Sequence, residues 1–151
     1  MKIRIFAYIL LSILFVACTT ESPGPKETVI NSYLALDQED ANLYMTTVTG
    51  NRAVMASSLL AGFFEDYDVS YTIDSIEVVS EDKKRAEVFA LVSARDEGGP
   101  KLYHDNKTAT YHKLHLMNGK WKIESTVIDE FTFLEQKRKN NPTIADTASA
   151  E

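Results

Sequence analysis

The pattern of hydrophobic positions has a helical period in the first half of the chain. Apolar residues recur every three to four positions, which predicts three amphipathic helices, over about 25–37, from Asp40 through Met45, and over Arg52–Phe64. Asp40 is expected to cap the second helix, and Gly50-Asn51 to break the chain before the third. The residues of the third helix that we expect to face inward include Val54, Met55, Leu59 and Phe63.

From residue 69 onwards the hydrophobic period becomes two, which predicts antiparallel strands. The first strand covers about 69–79. One face of the second strand carries only small apolar residues, so a helix can lie close against it: Ala86, Val88, Ala90, Val92 and Ala94.

Asn118-Gly119 predicts a two-residue hairpin turn between the last two strands, because both positions must adopt a positive φ. Near the turn, uninterrupted pairing places Leu116 opposite Trp121 and Leu114 opposite Ile123. Continued away from the turn, it pairs His112 with Ser125, Thr110 with Val127 and Thr108 with Asp129 on the same face.

The first 18 residues have the pattern of an export signal. Lys2 and Arg4 precede an apolar run over 5–16, which is too short to span a bilayer, and Ala17 and Cys18 follow it. The segment resembles a bacterial lipoprotein signal, which implies cleavage before Cys18 and acylation of its thiol. Thr19, where an aspartate would suggest retention at the inner membrane, then implies the outer membrane in a two-membrane cell. The alternative is an ordinary secretory signal in which Cys18 is incidental.

The composition of the remaining chain limits which partners it can bind and how its fold can be held together. Removing residues 1–17 takes the formal net charge from −6 to −8, so we expect no binding to nucleic acid. No cysteine other than Cys18 is present, and the fold must therefore be held by packing rather than by disulfides. We predict a signal over 1–17, a tether over 18–25, one domain over 26–136 and a disordered tail over 137–151.

Helices followed by a long antiparallel sheet predict an α+β domain. The chain resembles the nuclear transport factor 2-like (cystatin-like, SnoaL-like) superfamily, and the residues that carry the resemblance are Tyr33–Leu36, Asp40, Gly119–Ile123, Phe131 and Phe133. It implies a cone, in which about three helices pack on a curved antiparallel sheet of about four strands. Small bacterial lipoproteins with such a domain form a large group, and this chain looks like one of them.

Four polar residues are candidates for ligand binding, because the predicted register places them among apolar residues of the pocket-forming face: Thr108, His112, Ser125 and Asp129. His112 and Asp129 are also candidate catalytic residues. The alternative, which we favour, is that His112 and Ser125 satisfy each other's hydrogen bonds while Asp129 lies at a solvated rim. No spacing of histidines or carboxylates indicates a metal site, and we expect no cofactor.

The sequence therefore predicts a lipid-anchored protein of the cell envelope, acting as a non-enzymatic module that binds a small ligand or an envelope protein. The first alternative is a small acid-base enzyme, of isomerase or dehydratase type, that uses His112 and Asp129 in the cone pocket. The second alternative is a structural component of the envelope. Because many members of the superfamily pack their sheets face to face, homodimerisation is a further expectation.

Overall fold

The structure is a computed structural model, and it describes residues 22–135. Three helices precede four strands, which confirms the predicted α+β class. The helices are α1 (Pro25–Asp37), α2 (Ala41–Thr47) and α3 (Gly50–Asp66), and the strands are β1 (Val69–Glu81), β2 (Arg85–Asp96), β3 (Asn106–Met117) and β4 (Lys120–Phe133). The predicted signal, Cys18 and the predicted tail lie outside the described residues.

The helix boundaries follow from local chemistry. Pro25 is the first residue of α1, where its missing N–H costs nothing. The Asp40 carboxylate accepts a hydrogen bond of 2.8 Å from the backbone N–H of Leu43 and so caps α2, as predicted. Gly50 has a φ of 60°, and it begins α3 rather than breaking the chain ahead of it. None of the helices within residues 22–135 has the length and apolar character needed to span a lipid bilayer.

The four strands form one antiparallel meander in the order β1-β2-β3-β4. The small apolar face of β2 is buried against the helices, where Val88 and Ala90 are fully enclosed beside Val29 and Ala35 of α1. Because these strand residues have little volume, α1 can pack closely on the sheet. This packing is the centre of the hydrophobic core.

The β3–β4 hairpin turns at Asn118 and Gly119, with φ values of 51° and 75° as the two-residue turn requires. Leu114 pairs with Ile123 as predicted, but farther from the turn the predicted pairing was wrong. Two bulges shift the register by one residue each, at Glu124 and at Asp129. The observed partners are Thr126 for His112, Ile128 for Thr110 and Phe131 for Thr108. A bulge places two residues of one strand opposite one residue of its partner. Since side chains alternate between the two faces, each bulge reverses which alternate residues of β4 face the helices.

The prediction for the inward residues of α3 was wrong for three of the four, since only Phe63 is half-buried, packing on Tyr67 and Tyr103. Val54, Met55 and Leu59 are 70%, 60% and 61% exposed, and Ala56 is the one residue of α3 that is buried. The helix packs mainly against α2 and β4, so its apolar face has neighbours along only a narrow strip. The consequence is an apolar helix surface that the rest of residues 22–135 leaves open to solvent.

Candidate functional site

His112 is the buried polar centre of the domain. It projects from β3 towards α1, and only 1% of its surface is exposed. Its Nε2 lies 3.1 Å from the Tyr33 hydroxyl and 3.0 Å from Thr110 Oγ1, and its Nδ1 lies 2.9 Å from Thr126 Oγ1. Both ring nitrogens therefore have partners, which is how a buried imidazole avoids the cost of an unmade hydrogen bond.

The surroundings of His112 keep the ring neutral. Burial lowers the pKa of His112 to about 4, and the positive charge of Arg52 acts in the same direction. Burial also raises the pKa of the Tyr33 hydroxyl. At neutral pH the cluster of Tyr33, Thr110, His112 and Thr126 therefore carries no charge, and no carboxylate of the described residues forms a hydrogen bond with it.

The structure does not bring the other candidate site residues to His112. Ser125 and Asp129 are exposed, and Asp129 is the extra residue of the second bulge in β4. Thr108 is half-buried, and its hydroxyl donates to Asn106 Oδ1 at 3.1 Å. Cys18, the candidate lipidation site, lies outside the described residues.

An open cleft lies where α2, α3 and β4 meet. Its volume is about 290 Å³. The lining residues are Tyr44, Arg52, Met55, Ala56, Leu59, Leu60 and Ser125. Arg52 is half-buried, and its Nε donates to the Tyr44 hydroxyl at 3.2 Å. The cleft therefore combines an apolar wall with one cation.

Several of these residues were missed by the sequence analysis. Thr126 could not be identified because the bulge at Glu124 brings it, rather than Ser125, to His112. Tyr33 was named only among the residues that carry the resemblance to the superfamily. Arg52 could have been identified from the sequence, since it is the one charged residue between positions 50 and 64. A single cation in an otherwise uncharged helix stretch could have indicated a site.

The far end of β4 also exposes apolar side chains. Ile128, Phe131 and Phe133 are all exposed large hydrophobic residues. The rings of Phe131 and Phe133 pack edge to face with centroids 5.0 Å apart, and neither ring fills the cone. This end of the sheet is thus uncovered within the described part of the chain.

The described residues provide no evident metal centre, because no three of their His, Cys, Asp or Glu side chains are arranged to hold an ion. A second depression of about 300 Å³, near the β3–β4 turn end of the sheet, is lined by charges of both signs, including Glu81, Arg85, Lys113 and Glu124. Its mixed charge gives it no evident preference for one class of ligand.

Comparison with solved structures confirms the nuclear transport factor 2-like (cystatin-like) fold. One similar structure is a protein of unknown function with a cystatin-like fold from Nostoc punctiforme, with 12% identity, a TM-score of 0.52, and coverage of 68% of this chain and 84% of that one. Another is a ketosteroid isomerase-like protein from Erwinia carotovora atroseptica, with 15% identity, a TM-score of 0.55, and coverage of 78% and 99%. At such low identity these likenesses show the fold alone.

Comparison by sequence gives the family. The curated proteins contain no match to the chain. The family model described as the C-terminal domain of anti-sigma-I factor RsgI9 matches residues 27–134. That description names a regulatory factor and makes no statement about lipidation. The chain therefore belongs to the family of the anti-sigma-I factor RsgI9 C-terminal domain.

Proposed function

We propose that the protein is a non-enzymatic binding module of the cell envelope, anchored by an acylated Cys18, and that the cleft between α3 and β4 is its binding site. The observation that carries the proposal is the contrast between this cleft and the buried imidazole. The cleft is open and lined mainly by apolar groups, whereas His112 is enclosed and fully hydrogen-bonded. The family description, which names a domain of a regulatory factor, accords with binding rather than chemistry.

An acid-base enzyme needs a titrating group that substrate can reach. A general base works best when its pKa lies near the operating pH, and burial lowers the pKa of His112 to about 4. Both of its nitrogens are occupied, and Asp129 is exposed on a bulge instead of orienting the ring. The isomerase or dehydratase alternative is therefore the weaker one.

Binding in the cleft can be followed through the methionines. The full chain, with methyl-labelled methionine and reconstituted in lipid nanodiscs, would be titrated with 1-octanol as a small apolar probe. We expect the Met55 methyl signal to shift and to saturate, while Met117, beside the hairpin turn, stays unchanged. Leu59→Asp should abolish the response because it places a carboxylate in the apolar wall.

Val78→Asp is the matched control, since Val78 is also an exposed apolar residue but lies on β1. This variant should bind the probe like the original chain. A Met55 signal that does not respond, or that responds equally in Leu59→Asp, would refute the cleft as the binding site.

The anchor is tested separately. Cells expressing the protein would be fed an alkyne-tagged palmitate, and incorporation would be read on the purified chain. We expect label in the original chain and none in Cys18→Ser, together with release of the serine variant from the membrane fraction. Label that persists without Cys18 would show that the signal was misread.

We also propose that two copies pair through the outer face of the sheet. The helices cover the face that carries His112, so Phe89 and Tyr111 project from the opposite face, where their rings lie 5.2 Å apart. Both are half-buried, with Leu91 and Val127 beside them on the same face and the opposite charges of Glu87 and Lys113 next along the strands. Phe89→Glu should convert a dimer to a monomer in analytical ultracentrifugation, and a chain that is monomeric before the substitution would refute the pairing.

A further inference from the structure

Arg52 has an unusual position for a surface arginine. It comes from the first turns of α3, where it is the one charged residue between positions 50 and 64, and it lines the cleft beside Met55 and Leu59. Among residues 22–135, its polar contact is the hydrogen bond from Nε to the Tyr44 hydroxyl. The ion pairs among residues 22–135 join Lys101 to Asp66 and Lys107 to Asp74, so Arg52 has no carboxylate partner there.

The charge of Arg52 acts on the interior of the domain. It lowers the pKa of His112 and also opposes the rise in the pKa of the Tyr33 hydroxyl. A half-buried cation whose charge is felt by two buried groups is only partly screened by solvent. An anion placed beside Arg52 would therefore gain more than it would at a fully exposed arginine.

The geometry of the guanidinium narrows the choice of anion. Nε already donates to Tyr44, which holds the planar group in place and leaves both terminal nitrogens available. Two parallel N–H groups match the two oxygens of a carboxylate. Next to this cation the wall of the cleft is formed by Met55, Leu59 and Leu60, which favour an apolar body.

From this arrangement we infer that the cleft binds a small amphipathic monocarboxylate, with its carboxylate on Arg52 and its apolar part against Met55, Leu59 and Leu60. The inference rests on the proposed binding function and specifies its ligand class. A volume of about 290 Å³ lies at the lower end of the range for ligand pockets, which favours a short-chain or single-ring acid over a phospholipid.

The test compares three probes that share one alkyl chain. Octanoate, 1-octanol and octylammonium would each be titrated into the full chain in nanodiscs, with protein-free nanodiscs as the baseline for partitioning and the Met55 methyl signal as the readout. Because a hydrogen bond to a charged group is stronger than one between neutral groups, octanoate should bind at least about tenfold more tightly than octanol. Octylammonium should bind more weakly than octanol.

Substitutions then assign the preference to one residue. Arg52→Gln should abolish the preference for octanoate over octanol. Arg52→Lys, which retains the charge but loses the planar pair of donors, should retain part of it. Arg95→Gln is the matched control, because Arg95 is an exposed arginine on β2 and does not line the cleft.

The outcomes separate this inference from the broader proposal. If octanol and octanoate bind equally, the carboxylate assignment is overturned while the cleft remains a binding site. If Arg52→Gln retains the preference, the carboxylate lies elsewhere and the inference fails. If none of the three probes moves the Met55 signal, the cleft fails as a ligand site altogether.

Discussion

The burial of His112 predicts a specific loss of stability in acid. In the folded protein burial lowers its pKa from the ordinary value of 6.5 to about 4. As the pH falls below about 6.5, the unfolded chain therefore takes up a proton that the folded chain excludes. The contribution of this histidine to stability is complete above that pH and is lost progressively down to pH 4.

The size of the effect follows from the same shift. A difference of one pKa unit corresponds to about 1.4 kcal/mol, so the change from 6.5 to about 4 is worth about 3 kcal/mol at pH 4 and about 2 kcal/mol at pH 5. Most domains have a free energy of unfolding of roughly 5–15 kcal/mol, so this loss is a large share of the total. The neutral ring makes three hydrogen bonds, with Tyr33, Thr110 and Thr126.

The measurement is a set of urea unfolding curves between pH 7.5 and 4, followed by the fluorescence of Trp121, the single tryptophan of the chain. The original chain is compared with His112→Gln, whose side chain can donate and accept hydrogen bonds but does not titrate. Carboxylates such as Asp74, whose pKa is lowered by its hydrogen bond with Lys107, titrate in both proteins and cancel in the difference.

We expect His112→Gln to be less stable at pH 7.5, where it loses part of the hydrogen-bond cluster, and the gap to close by about 3 kcal/mol on going to pH 4. His104→Gln, which removes an exposed imidazole, should retain the acid-induced loss seen in the original chain. A gap that is independent of pH, or an NMR titration of the His112 ring centred near 6.5, would refute the reasoning.

Four further substitutions test the fold by urea unfolding. Asp40→Ala removes the cap on the Leu43 amide and should cost about 1 kcal/mol; no loss would show that the cap is not needed. Ile123→Ala, at a residue with 0% exposure, should cost about 2–5 kcal/mol, whereas Ile128→Ala, at 62% exposure, should cost less than about 0.5 kcal/mol. Equal costs would contradict the observed difference in burial between the two residues. Gly119→Ala forces a side chain into a turn position with a φ of 75° and should cost about 1 kcal/mol, which a neutral effect would disprove.

The sequence was sufficient for features that depend on local chemistry. The change of hydrophobic period separated the helices from the strands, and Asn118-Gly119 identified the hairpin together with the pair of Leu114 and Ile123 next to its turn. Asp40 was recognised as a cap because an aspartate before a helix has one evident use. Each of these features is determined by residues that lie within a few positions of one another.

The residues of the buried cluster could not be predicted, because the hydrophobic pattern does not show where a strand bulges. A bulge is one extra residue in one strand, and neither Glu124 nor Asp129 differs in type from an exposed residue in regular pairing. With an uninterrupted register His112 faces Ser125, whereas the bulge at Glu124 gives it Thr126 instead. Both residues carry a hydroxyl, so the expectation that His112 has a hydroxyl partner across the hairpin was correct while the residue was not.

For the third helix, the sequence predicted the secondary structure correctly but not the burial of its apolar residues. Its apolar spacing was read correctly as helical, but amphipathicity states only that one face is apolar and not that the same domain covers it. In the structure α3 has neighbours on a narrow strip, and Met55 and Leu59 remain open beside the cation of Arg52. An apolar face that the domain itself leaves uncovered costs solubility unless something binds there. The same exposure that made the inward assignment wrong is therefore the strongest physical reason to look for a ligand at this cleft.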